Sequence, residues 1–247
     1  MPPEIPPAPP SPGPVTRWDA IIVAGGRAKR LGGIDKTALV WHGRSLLAGV
    51  LRAADAARRI CVVGSDADLP ASVLRTVERP RWGGPAAAIV TGLDALAGSP
   101  GAGSHASARQ ATPRDDGTDT AADWVVVLAG DLVRADDAVA ELLAELGRSL
   151  SEPRAGAEAD PVFDGLISVD AGGRRQPLLA VYRRAALASS ARLLGPAENL
   201  SVTSLIGGLN LVELHLGDAL SDDVDTPADA ARLGIVLPPP ATGPKTP

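Results

Sequence analysis

Several short apolar runs punctuate the chain, and the strongest of them stop at glycine or aspartate. Residues 18–24 (WDAIIVA) break off at Gly25-Gly26, residues 59–64 end in Gly64, and residues 123–131 (DWVVVLAGD) end in Asp131. Runs of this length, bounded by residues that stop regular structure, predict buried strands. Between the first two, Leu47, Val50, Leu51 and Ala54 fall on one face at helical spacing, which predicts a helix over 46–57 with Ser45 as its N-cap. A second helix is expected over 86–97 and a third over 138–146, with Asp136 or Asp137 as cap. Residues 163–170 and 177–182 read as two strands around the turn 171–175, with Gln176 at the entry to the second. A helix over 185–194, a short one over 201–206 and a last strand over 211–216 follow, and Thr226 with Pro227 supplies a cap and a first helical residue for a closing helix. Strand, loop, helix, strand is the start of a βαβ pattern. It predicts one α/β domain with a mostly parallel central sheet flanked by helices.

The pattern fails in four places. Residues 1–17 carry eight prolines and little that could pack, and the chain is proline-rich again from 237, so 1–17 and 237–247 are expected to be disordered tails flanking a domain over 18–236. Residues 98–122 are dense in Ser, Gly, Ala, Thr and Asp; they read as an inserted surface loop with His105 solvated in it. Residues 151–161 form another polar connection. With 45% hydrophobic residues but only four Trp, one Tyr and one Phe, the core must be built from Ala, Val and Leu. A net charge of −5 argues against a general nucleic-acid binder. Cys61 is the single cysteine and cannot form an internal disulfide, and no Cys/His cluster has zinc-ligand spacing. The N-terminus lacks a basic region before an apolar one, and no run of about 18 apolar residues occurs. The expectation is a soluble cytoplasmic protein with neither nucleic acid nor membrane as partner.

Candidate chemistry gathers where the first strand ends. A residue without Cβ lets the backbone approach a ligand closely, and successive N–H groups in such a turn form a concave anion site. Arg27, Lys29, Arg30 and Lys36 place cations around it, so phosphate is the expected ligand. GxxxxGK[ST] and GxGxxG are both absent, which excludes a Walker A loop and the dinucleotide fingerprint. The segment VAGGRAKRLGGIDK resembles LAGGxxxRMGxxDK, the signature loop of nucleotidyltransferases related to the molybdenum cofactor guanylyltransferases. That resemblance implies a Rossmann-like, glycosyltransferase-A-like nucleotidyltransferase fold. It also implies that Ala24, Gly25, Gly26, Arg27 and Arg30 surround the triphosphate of a nucleotide. Lys36 would neutralise charge on the phosphates as they separate.

Later segments agree in order. ERPRWGGPAAA, from Glu78, resembles the ExDPxxxGPxAG region, which implies nucleotide contacts from Glu78, Gly84 and Pro85. Arg79 stands where relatives commonly carry aspartate, which leaves the choice of base open, because a carboxylate suits the donors of guanine and a guanidinium does not. A structural turn without ligand contact is the other reading of this segment. LAGDLV resembles the family's PCDMP, without the prolines, and implies that Asp131 is a magnesium ligand and a catalytic residue; Mg²⁺ typically takes one or two carboxylates plus nucleotide phosphates. Ligands of open parallel sheets sit beyond the carboxyl ends of the strands, where the glycine loop and Asp131 both fall. The QPL segment borders the acceptor site in the family, which makes Arg174, Arg175 and Gln176 candidates there, with solvated arginines in a turn as the alternative. DVDTPADA resembles NxNTPEDL or DVDTPEDL and makes Asp223 or Asp225 a candidate second metal ligand, Asp225 foremost. By resemblance the reaction is Mg²⁺-dependent transfer of GMP from GTP to the phosphate of molybdopterin, with transient contact to molybdoenzymes or cofactor-synthesis proteins. The same chemistry on CTP, a sugar phosphate or phospholactate, and a nucleotide-binding regulator without catalysis, are the competing readings.

Overall fold

The computed structural model describes residues 17–25, 34–81, 83–98, 122–151, 162–195, 200–217, 220, 224 and 226–237. Both tails but for Arg17 and Leu237, and nearly all of the polar insert, His105 included, therefore lie outside the described residues. So does most of the connection over 151–161.

Nine strands and six helices follow along the described chain: β1 (Trp18–Val23), a 3-10 turn (Lys36–Ala38), β2 (Val40–Trp41), β3 (Arg44–Ser45), α1 (Leu46–Ala53), β4 (Ile60–Val63), β5 (Val73–Thr76) and α2 (Pro85–Leu96). Then come β6 (Trp124–Ala129), α3 (Ala135–Ser151), β7 (Gly165–Val169), β8 (Arg175–Arg183), α4 (Arg184–Leu194), α5 (Val202–Ile206), β9 (Leu211–His215) and α6 (Pro227–Arg232). Seven strands form one sheet in the order β5-β4-β1-β6-β8-β7-β9, and β2 pairs with β3 in a small hairpin. β8 runs antiparallel to both its neighbours; every other pair in the large sheet is parallel. The expected mostly parallel sheet flanked by helices is what the chain forms.

Alternation along β1 explains the layering. Ala20 and Ile22 face a layer with Leu47 and Val50 of α1, Ala54 just after it, and Val139, Leu142 and Leu146 of α3. Ile21 and Val23 face Ile89, Leu93 and Leu96 of α2, Leu187 of α4 and Leu205 of α5. Side chains two apart share a face, so one strand feeds both cores, and a fully buried parallel strand reads as a continuous apolar run. Among the described residues no helix is long and apolar enough to cross a membrane.

Three local expectations change. α1 stops at Ala53, short of 57, because the chain must turn back for Arg58 N–H to donate to Trp18 O (2.9 Å) and for β4 to join β1. Asp136 and Asp137 lie within the first turn of α3 and do not cap it; carboxylates remain favourable there beside unpaired helix N–H groups. Arg175 and Gln176 belong to β8, opposite Val169 and Ser168, so the turn is shorter by one residue than 171–175.

Where the strands begin, Asp19 on β1 is completely buried. Arg58 reaches it through Nε (3.2 Å to Oδ1) and Arg184 through its guanidinium (2.5 Å to Oδ2). A buried carboxylate held by two guanidiniums ties β1 to the segments that begin β4 and α4. Removing one member of such a group strands the remaining charges. Asp19→Ala is expected to lower unfolding free energy by about 3 kcal/mol, measured by urea denaturation.

Candidate active site

The opposite edge, where six of the seven strands end, is built on glycine. Ala24 N–H donates to Val63 O (2.9 Å), Gly130 N–H to Val23 O (2.9 Å) and Gly64 N–H to Thr76 O (3.0 Å), so β1, β4, β5 and β6 stay together as they leave the sheet. A Cβ on Gly25 would lie 3.3 Å from Gly64 Cα; one on Gly64, whose φ is +85°, would lie 2.7 Å from Gly25 Cα. No side chain fits between these loops, and the left-handed φ of Gly64 favours glycine on its own account. Glu78, 6% exposed after β5, brings its carboxylate oxygens to 3.6 and 3.5 Å from those two Cβ positions. Arg79 beside it is exposed. Farther along, Gly84 at φ +90° precedes Pro85 at the start of α2, so this helix opens onto the same edge.

Asp131 follows Gly130 at the end of β6, and Lys36 opens the 3-10 turn. Lys36 Nζ lies 3.6 Å from Asp131 Oδ2, with the side chains 18% and 19% exposed. The lysine turn is held on three sides. Asp35 caps it, accepting from Thr37 N–H (2.9 Å) and Thr37 Oγ1–H (2.7 Å). Thr37 Cγ2 packs over Gly130, where a Cβ would stand 3.3 Å away. Leu39 and Leu46 bury against Val133, Val224, Ala230 and Ile235, and Trp41 Nε1–H donates to Leu233 O (3.2 Å), so α6 backs the turn.

On the other side of Asp131, the turn after β7 carries Asp170. Its Oδ1 accepts from Gly172 N–H (3.0 Å) and Arg174 N–H (2.9 Å), and its Oδ2 from Gln176 Nε2–H (2.7 Å). The Arg174 backbone N–H foremost, with the other donors, holds the Asp170 carboxyl below the usual carboxylate range. Arg175 pairs with Glu213 through Nε (2.7 Å).

Structure thus brings Ala24, Gly25, Lys36, Glu78, Gly84, Pro85, Asp131, Arg174, Arg175 and Gln176 to one edge of the sheet. Gly26, Arg27, Lys29, Arg30, Asp223 and Asp225 lie outside the described residues. Among the described residues no group of three His, Cys, Asp or Glu could hold a metal ion. Asp35, Gly64, Gly130 and Asp170 were not singled out as site residues by sequence. Two of them were signalled, Gly64 by a strand run ending in glycine and Asp170 by a turn pattern DxG. A depression of about 340 Å³ lined by Leu51, Ala57, Ile60 and Val73 opens at the edge where strands begin and shares no residue with this site. Cys61 lies inside the sheet, where burial pushes its thiol up to about 12, so it supplies no nucleophile.

The MobA-like NTP transferase domain family matches residues 20–207. No curated protein sequence matches the chain significantly. Among solved structures, Molybdopterin-guanine dinucleotide biosynthesis protein A from Archaeoglobus fulgidus is similar at TM-score 0.55 and 18% identity, over 87% of this chain and 96% of that one. Rv0371c from Mycobacterium tuberculosis H37Rv gives 0.58 and 18%, over 88% and 97%. The inositol-1-phosphate CTP transferase from T. maritima gives 0.54 and 14%, over 87% and 91%. At these identities the likeness is one of fold.

Gly130 touches both halves of the lysine and aspartate pair. A methyl group there would stand 3.0 Å from Ala24 Cβ and 3.3 Å from Thr37 Cγ2, so one of them must move by a few tenths of an ångström. Gly130→Ala is expected to slow pyrophosphate release at least about tenfold, because small displacements of positioned charges cost rate steeply. The unfolding free energy should fall by only about 1–2 kcal/mol, read from denaturation of the same samples.

Proposed function

The chain belongs to the MobA-like NTP transferase domain family, and on that footing we propose that it transfers GMP from GTP to the phosphate of molybdopterin with release of pyrophosphate. The observation that carries this reading is the pairing of Lys36 with Asp131 at 3.6 Å, beside the glycine ends of β1, β4 and β6. A phosphate oxygen of the acceptor attacks the α-phosphorus. A new P–O bond forms there, the α–β bridging bond breaks, and its electron pair leaves with pyrophosphate. Such transfers ask the protein for position and charge neutralisation more than for covalent chemistry.

Each part of the edge has a share in this. Backbone at Gly25, which has no Cβ, follows Ala24 toward the phosphates, and Lys36 meets the charge that grows on the leaving group. Asp131 suits a hard cation by its chemistry: it offers carboxylate oxygens at the strand end, and nucleotide phosphates would complete the set. Bound there, Mg²⁺ would screen the triphosphate and polarise the α-phosphoryl group. Base choice falls to Glu78. Arg79 offers no acceptor, whereas the carboxylate of Glu78, the glutamate this segment shares with the resembling pattern, lies against Gly25 and Gly64 and would accept from both N1–H and N2–H₂ of guanine.

The test incubates the protein with Mg²⁺ and GTP, CTP, ATP or UTP, with and without molybdopterin, and follows pyrophosphate. Release with GTP that requires molybdopterin is the expected result; preference for CTP would retain the chemistry and reject the role given to Glu78. Asp131→Ala should abolish turnover in a folded protein. Lys36→Ala should lower kcat at least about a hundredfold, the scale of losing one preorganised charge contact, and a change confined to KM would show that Lys36 only binds the ground state.

A further inference from the structure

Asp170 does more in this structure than close a turn. One carboxylate oxygen holds the backbone N–H groups of Gly172 and Arg174, and the other holds the side-chain amide of Gln176 at 2.7 Å. An ionised carboxylate only accepts hydrogen bonds, so the amide is fixed with its nitrogen toward Asp170 and its carbonyl oxygen turned away. The low carboxyl pKa keeps Asp170 ionised throughout the neutral range. The place of Gln176 follows from strand order. β8 is the neighbour of β6 and runs antiparallel to it, so Gln176, at the start of β8, stands at the edge of the sheet where β6 ends and Asp131 follows. Arg175, its neighbour, is drawn off to Glu213 on β9.

Resting on the nucleotidyl-transfer reading above, we infer that Asp170 is a positioning residue for the acceptor substrate. It holds Gln176 so that Oε1 accepts a hydrogen bond from an N–H or O–H group of that substrate. The acceptor class that suits this fixed oxygen carries a donor edge besides its phosphate, as a pterin ring with amide and amine N–H groups does. An acceptor whose facing atoms only accept would leave the oxygen unpaired and bind less well.

The experiment compares wild type, Asp170→Asn, Gln176→Ala and the double variant, with Mg²⁺, GTP and molybdopterin. Asp170→Asn is expected to raise KM for molybdopterin about tenfold, with kcat and KM for GTP within about twofold of wild type. If Asp170 acts through Gln176, the double variant binds the acceptor no worse than Gln176→Ala alone. Multiplying losses, or an unmoved acceptor KM, would overturn the inference, since a residue that only ties the turn gives one or the other. Gln176→Asn shortens the amide away from Asp170 without touching the turn and should reproduce the KM effect, so the outcome does not hang on the turn variant folding. Wild-type silence with GTP and molybdopterin would instead overturn the transfer reading and this inference with it.

Discussion

Everything at the functional edge depends on how closely three backbones approach one another. β1 lies between β4 and β6, and the chain leaving it at Ala24 and Gly25 passes between Gly64 after β4 and Gly130 after β6. The separations leave no volume for a side chain on Gly64, and little on Gly25 or Gly130. Close approach is what lets adjacent strand ends present backbone and short side chains to one small volume. Lys36 and Asp131 meet there although their loops are far apart in the chain, because Thr37 rests on Gly130 and carries the lysine turn with it. A larger residue at Gly25 or Gly130 would act on geometry first and on stability second, whereas at Gly64 both would suffer.

The two edges of the sheet use the same residue types for different ends. Asp19 with Arg58 and Arg184 is a carboxylate surrounded by cations, as an anion-binding site would be in mirror image, yet its partners come from the protein and bury it completely. Asp131 and Lys36 keep about a fifth of their surface exposed and stand at a greater separation. An ion pair that is loose and open can be parted by a polyanion and a cation; one that is tight and buried serves the fold. Glu78 belongs with the open edge by position, although it is as inaccessible as a core residue, because its carboxylate lines the glycine channel.

Much of this was legible in the sequence, for definite reasons. Apolar runs that stop at glycine marked β1, β4 and β6, since buried parallel strands need no polar alternation and their loops need close approach. Ser45 and Thr226 did cap helices as local chemistry suggests, the latter with its own N–H donating back to the Asp229 carboxylate, while Ser201, expected inside a short helix, caps it. Helix limits were less legible: Ala53 ends α1 because β4 must join the sheet, a demand no local residue announces. The insertion of antiparallel β8 between β6 and β7 is likewise tertiary, and it is what brings Gln176 to the edge where β6 ends. Single acidic residues gave the weakest signal. Asp136 and Asp137 looked like caps and are not, while Asp170 looked like the last residue of a strand and binds three donors in the turn.

The hydrogen bond from Trp41 to Leu233, and the small apolar cluster beneath it, make the N-terminal signature loop dependent on the C-terminal helix. Lys36 belongs to the earliest part of the domain to be synthesised, whereas Val224, Ala230 and Ile235, which brace its turn, are among the last. Folding from the N-terminus can assemble β1 and its neighbours while the chain is still growing. The turn that carries the lysine lacks this bracing until α6 has been made, so a chain stopped before residue 224 leaves that turn without its apolar support. Topology thus makes an N-terminal turn of the domain depend on one of its C-terminal elements.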